Sequence, residues 1–188
     1  PLSMTAKRAQ EIVNIAKRTG TPFMSASSLR YVPDIVNLAA EVTTVGPVPI
    51  ATSACGNDHV YDGIHALETA YAVLGPGAVS CLNVGQPDRN LVRIRVEDGH
   101  DLMLIVGQPE YMSAGYQINL YGKNGWRTVS PDLSDLYLYL MQRFLDMMHN
   151  KHKFAVPLDE MVEVIATLEA GKRSLEENRE VTVAEMLA

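Results

Sequence analysis

Leu91-Val92-Arg93-Ile94-Arg95-Val96-Glu97, followed shortly by Leu102-Met103-Leu104-Ile105-Val106, decides the fold. The first stretch alternates, with Val92, Ile94 and Val96 on one side and Arg93, Arg95 and Glu97 on the other. Successive side chains of a strand point to opposite faces, so this pattern predicts a half-buried strand. The second stretch is apolar at every position, as in a strand covered on both faces. One face takes the chain's own helices. A chain of 188 residues has no third layer left for the other, so a second subunit is the expected cover, with the chain's own loops as the alternative.

Further strands are predicted over 48–53, 79–84, 116–121 and 126–129. Asn124-Gly125 supplies a hairpin turn before the last of these. A helix over 65–74 is closed by Gly75-Pro76-Gly77. Two more helices end the chain: one carries Leu133, Leu136, Tyr137, Leu140, Phe144, Leu145 and Met148, the other Leu158, Met161, Val162, Ile165 and Leu168. Strands in a run and then helices in a run predict an α+β fold, with an open, mainly antiparallel sheet and helices on one face.

The first thirty residues read differently. Ser3 or Thr5 can cap a helix with the apolar stripe Ala6, Ala9, Ile12, Val13 and Ala16, with Lys17 and Arg18 at its C-terminal dipole and Gly20 as its stop. Pro22-Phe23-Met24-Ser25-Ala26 then reads as a short strand, and Pro33 opens a second helix running to about Val42. A helix followed by a strand is the last αβ unit of a parallel sheet whose other strands are not in this sequence. The expectation is that residues 1–29 are such a residual unit and 30–188 the α+β domain.

Composition narrows the functional classes. Hydrophobic residues make up 47% and charged residues 20%, ordinary for a globular protein, and the net charge is −6. No basic run exists to track phosphates, so nucleic acid is not an expected partner. No apolar run approaches the ~20 residues of a membrane span. Cys55 and Cys81 fit no zinc or redox spacing and read as buried thiols, which suits a reducing, cytoplasmic compartment; an export signal at a missing N-terminus would change that expectation.

Asn57-Asp58-His59-Val60-Tyr61-Asp62-Gly63-Ile64-His65 places two carboxylates, two imidazoles and a phenol at a helix start. Histidine titrates nearest neutrality and suits proton transfer, and a helix N-terminus favours neutral imidazole. The same residues can equally be loop and capping groups, with His65 a hydrogen-bonded core residue. Arg30-Tyr31 comes after the first predicted strand at its carboxyl edge, where α/β sheets place ligands, or forms a surface ion pair. His149-x-x-His152 has metal-compatible spacing but reads better as a cationic helix end, so no metal is expected. Arg93 and Arg95 line an interface or a solvated strand face. Met103, Met112, Met141, Met147 and Met148 read as core or interface filler.

Several of these stretches together resemble the C-terminal part of Gfo/Idh/MocA-family oxidoreductases, the glucose–fructose oxidoreductase and inositol dehydrogenase group. Pro1-Leu2 before a helix resembles the end of the family's Glu-Lys-Pro segment and the helix after it, with Pro1 as that proline. Gly63-Ile64-His65-Ala66-Leu67-Glu68 with Leu74-Gly75 resembles its Gly-x-His helix. The stretch 117–125 resembles its late-strand hairpin, and 163–183, with Ala170, Ser174, Glu176-Glu177 and Arg179, its closing helix and strand. The resemblance implies a two-domain enzyme: a Rossmann domain binding NAD or NADP, and an α+β domain that binds a sugar, polyol or related substrate and forms homodimers or larger homo-oligomers through its sheet. It implies hydride transfer, with His65 as general acid/base and Tyr61 and Asp62 binding or polarising the substrate. It also makes Arg30 and Tyr31 candidate substrate contacts.

The sequence departs from the family in three places. No Gly-x-Gly-x-x-Gly occurs, so no cofactor-binding residue is expected in this chain. The family's lysine would fall one residue before Pro1. The family's aspartate four residues before the histidine is Tyr61 here, with Asp62 three before. The resulting expectation is a substrate-binding and oligomerisation half, inactive alone. The alternatives are a stand-alone, non-catalytic dimeric module derived from that domain, and an unrelated hydrolase built on Ser53, Asp62 and His65, which lacks a nucleophile elbow.

Overall fold

A computed structural model describes residues 1–149 and 156–188. His152 of the His149-x-x-His152 pair lies outside the described residues.

Among the described residues, five helices and seven strands form a mixed α+β architecture. The helices are α1 (Ala6–Thr19), α2 (Pro33–Glu41), α3 (Gly63–Leu74), α4 (Leu136–His149) and α5 (Leu158–Glu177). The strands are β1 (Ile50–Gly56), β2 (Ala78–Asn83), β3 (Arg89–Val96), β4 (Asp101–Gly107), β5 (Gln117–Gly122), β6 (Gly125–Val129) and β7 (Val181–Thr182). They make one open sheet in the order β6-β5-β1-β4-β3-β2-β7. Only the central pair β1 and β4 is parallel; every other ladder is antiparallel.

The alternation in β3 sets the faces. Val92 and Ile94 pair with Leu104 and Leu102, and Ala51 of β1 stands opposite Leu102. All are buried in the core, where α3 packs on β1, β4 and β5 and α5 packs on β2. The opposite face presents Ile50, Leu91, Met103, Ile105, Tyr121 and Trp126, and no helix of the described residues covers it. Trp126 is 67% exposed and Ile50 52%. The apolar second face of β4 is therefore real, and β4 lies mid-sheet.

The N-terminal unit differs in part from expectation. Thr5 caps α1, its hydroxyl accepting from the Arg8 N–H, and Gly20 closes it in the left-handed conformation. The stripe Ala6, Ala9, Val13 and Ala16 is buried against α5 within this same chain, and Glu169 accepts from the Ala6 N–H at 2.7 Å. That stripe therefore has a partner here. Residues 22–26 join no ladder of the sheet. The local pattern is apolar enough for a strand, but a strand exists only beside a hydrogen-bonding neighbour, and the turn at 28–31 carries the chain away to α2.

That turn is locked by charge. The Arg30 side chain, 8% exposed, donates through Nε to Glu68 of α3 at 2.7 Å and through Nη2 to Glu160 of α5. Arg30 is thus part of a buried ion cluster, neither a surface pair nor a free contact for a ligand. Burial disfavours its charge, but Glu68 and Glu160 outweigh that and hold its pKa above the ordinary arginine value. Glu68 is pushed up by burial and pulled back by Arg30 and by the Ser27 N–H it accepts at 2.7 Å. Removing one partner of a buried ion cluster leaves an uncompensated charge, which costs roughly 3–5 kcal/mol. Arg30→Met is expected to lower unfolding stability by about that amount in urea titrations, and joint replacement of Arg30, Glu68 and Glu160 by apolar residues to recover most of it; a loss under about 1 kcal/mol for Arg30→Met would contradict the assignment.

Candidate functional site

The segment between β1 and α3 folds as a loop closed by its own side chains. Asp58 Oδ1 accepts from the N–H groups of Val60 and Tyr61 at 2.7 and 2.8 Å. Asp62 reaches back, its Oδ2 accepting from the Asp58 N–H at 3.2 Å and its Oδ1 from Asn57 Nδ2 at 3.3 Å. Asn57 takes a left-handed backbone, φ 73°, which asparagine tolerates better than most residues. Asp62 stands at the N-cap position without a side-chain bond into α3, so these carboxylates close the loop that delivers His65 in the first turn of that helix.

Around His65 the structure gathers groups distant in sequence. Its Nδ1 lies 2.9 Å from Ser27 Oγ. Its ring meets Tyr116 edge-on, with centroids 5.9 Å apart. Burial lowers the His65 pKa, Asp62 raises it, and the Pro1 amino group lies near enough to lower it further. Burial pushes the Tyr116 phenol up to about 12, helped by the nearby Asp62 carboxylate. His65, Asp62, Tyr116 and Ser27 thus form one half-buried constellation at the N-terminus of α3. A neutral imidazole, a carboxylate and a protonated phenol can hold and polarise a hydroxyl or carbonyl oxygen.

The other sequence candidates separate from this cluster. Tyr61 is 58% exposed and borders a cavity with Met4, Pro87 and Lys172. Tyr31 is tucked beside the ion cluster; its buried hydroxyl has no partner among the described residues and is pushed up to about 12 by burial. Ser53 is buried and donates to the Ala66 carbonyl at 2.7 Å, so its hydroxyl ties β1 to α3 and is no nucleophile. Cys55 and Cys81 are free, buried thiols, each pushed up to about 12 by burial. Arg93 and Arg95 pair with Glu180 and Asp101. Met147 is buried, while Met141 and Met148 are exposed on α4. Among the described residues no group of three or more His, Cys, Asp or Glu is placed to hold a metal, and no helix is long and apolar enough to cross a membrane.

Sequence reasoning missed Ser27, Tyr116, Glu68 and Glu160 as parts of the site and its support. Tyr116 registered only as the first residue of a strand, and Ser27 only as part of a loop. The one usable signal was Glu68 inside an otherwise apolar helix face, since a buried carboxylate requires a partner.

No family model matches the chain, and no curated protein matches it. Solved structures do. A probable dehydrogenase from Thermotoga maritima aligns with a TM-score of 0.85 at 16% identity, covering 99% of this chain and 72% of the other. Scyllo-inositol dehydrogenase from Lactobacillus casei, solved with NAD(H) and scyllo-inositol, aligns with a TM-score of 0.81 at 12% identity over 95% of this chain and 70% of its own. Myo-inositol 2-dehydrogenase from Lactobacillus plantarum aligns with a TM-score of 0.79 at 14% identity over 97% and 71%. The chain has the fold of these Gfo/Idh/MocA-type dehydrogenases.

His59, the second imidazole of the segment, belongs to the core. Its Nε2 contacts the Leu168 carbonyl at 3.2 Å, and burial lowers its pKa. An imidazole held neutral when folded binds fewer protons than its unfolded counterpart below about pH 6.5, so it destabilises the fold as pH falls through that point toward the folded pKa. Wild type is expected to lose stability relative to His59→Gln between about pH 7.5 and 5.5, with a slope approaching ~1.4 kcal/mol per pH unit. A pH-independent difference in urea midpoints would contradict a buried neutral His59.

Proposed function

We propose that this chain is the substrate-binding and assembly half of a nicotinamide-dependent oxidoreductase acting on a sugar, polyol or related compound. The observation that carries the reading is the convergence of His65, Asp62 and Tyr116 at the start of α3, in a fold shared with an inositol dehydrogenase solved with NAD(H). A lysine one residue before Pro1, where the family resemblance expects it, would meet the same cluster. Residues 1–29 are then the tail of the cofactor domain, and 30–188 the substrate domain.

NAD or NADP would supply the hydride acceptor or donor. The chain contains no glycine-rich βα turn to cradle a pyrophosphate, so its own residues do not fit that group and the cofactor is held elsewhere. What this chain contributes is the grip on the substrate oxygen: His65 contacts it, and Tyr116 and Asp62 set the hydrogen bonds around it. Arg30 and Tyr31 act from behind, by holding the 27–31 turn.

In the longer enzyme, His65→Ala is expected to lower kcat/KM for the polyol by about 10²- to 10³-fold, the usual cost of losing a group on the reacting oxygen. Reduced-nicotinamide absorbance reads this, and unchanged turnover would remove His65 from the site. The 188-residue chain alone is expected to show no such turnover.

The open sheet face is the assembly surface. Its Ile50, Leu91, Met103, Ile105, Tyr121 and Trp126, interspersed with Thr52, Arg93 and Asn119, give it more apolar area than soluble monomers usually leave bare. Sedimentation is expected to give a dimer or larger at micromolar concentration. A clean monomer would contradict this use of the face.

A further inference from the structure

We propose that Ser27 is a positioning residue that fixes His65 as a neutral imidazole with its proton on Nε2, so that His65 donates a hydrogen bond to the substrate oxygen and does not take its proton. This rests on the proposed role of His65 at that oxygen and specifies which form of the ring does the work.

The tautomer is set by hydrogen-bond accounting. Ser27 is 2% exposed. Its Oγ already accepts from the Leu29 N–H at 3.2 Å, and a buried hydroxyl proton must find an acceptor. Among the described residues the acceptor in reach is His65 Nδ1, at 2.9 Å. With the proton on Nδ1 instead, Ser27 Oγ would accept twice and its own O–H would be stranded. Nδ1 is therefore the acceptor, and Nε2 carries the proton. Nε2 has no hydrogen-bond partner among the described residues, which leaves it available to a ligand.

Ser27 is itself held in place. Its N–H donates to Glu68, one turn further along the helix that carries His65, and Glu68 is clamped by Arg30. The other groups facing the ring agree with a neutral imidazole that donates. Tyr116, just before β5, stays a protonated phenol, and Glu68 is spent on Arg30 and Ser27. Asp62 alone pulls toward the protonated ring, against burial.

Long-range ¹H–¹⁵N spectra of the histidine-labelled 188-residue chain test this. In wild type, Nδ1 of His65 is expected at the unprotonated, acceptor position with a single Nε2–H tautomer. Ser27→Ala is expected to admit the second tautomer and to raise the His65 pKa by roughly 0.5 to 1 pH unit, because a hydrogen bond to the neutral form is lost. Ser27→Thr, which keeps the hydroxyl, is expected to restore both. A protonated Nδ1 in wild type overturns the proposal, as does a Ser27→Ala spectrum with unchanged tautomer and titration. Should Ser27→Ala fail to fold, the wild-type tautomer alone decides. Turnover that survives His65→Ala would strike the proposed oxidoreductase role and leave the tautomer result standing, so the two failures are distinct.

Discussion

One guanidinium shared by two buried carboxylates holds the working end of this molecule together. Arg30 reaches Glu68 on α3 and Glu160 on α5 from a turn that belongs to neither helix. Burying three charges is costly, and such clusters add little net stability compared with apolar packing. What this one adds is position. Any shift of the 27–31 turn relative to α3 would leave a carboxylate unpaired, so the turn has one low-energy placement. Ser27 hangs from the same Glu68, and His65 hangs from Ser27. Geometry at the imidazole is thus set from the core outward.

The local elements were legible in the sequence because their signals are local. The β3 alternation, the Asn124-Gly125 turn and the stripes of α1 and α5 each predict an element the structure contains. The all-apolar β4 was legible as a central strand because both its faces had to be explained, and one is indeed left open. Long-range relations were not legible. Nothing in β1 announces that it runs parallel to β4, since that pairing depends on the crossover through α3, β2 and β3. Pro22-Phe23-Met24-Ser25-Ala26 looks like a strand and joins no ladder, for the same reason.

The site divides along the same line. Asp58, Asp62 and His65 lie close in sequence, and their spacing exposed them. Tyr116 and Ser27 come from segments far from His65 along the chain, and only folding brings them to the ring. Arg30 was singled out for its place at the end of a predicted strand; its actual neighbours, two glutamates on separate helices, turned it from a candidate contact into a support. Asp62 ties its own loop and also raises the neighbouring Tyr116 phenol, so a structural role and a functional one are poor alternatives here.

The central claim is that a hydroxylated substrate is gripped at the His65 end of α3. Titrating the isotopically labelled chain with an inositol and following residue-resolved NMR shifts tests it directly. The largest shifts are expected at His65, Asp62, Tyr116 and Ser27, with the open sheet face unmoved. Shifts centred on the sheet face, or on the cavity bordered by Met4, Tyr61, Pro87 and Lys172, with His65 unchanged, would contradict it.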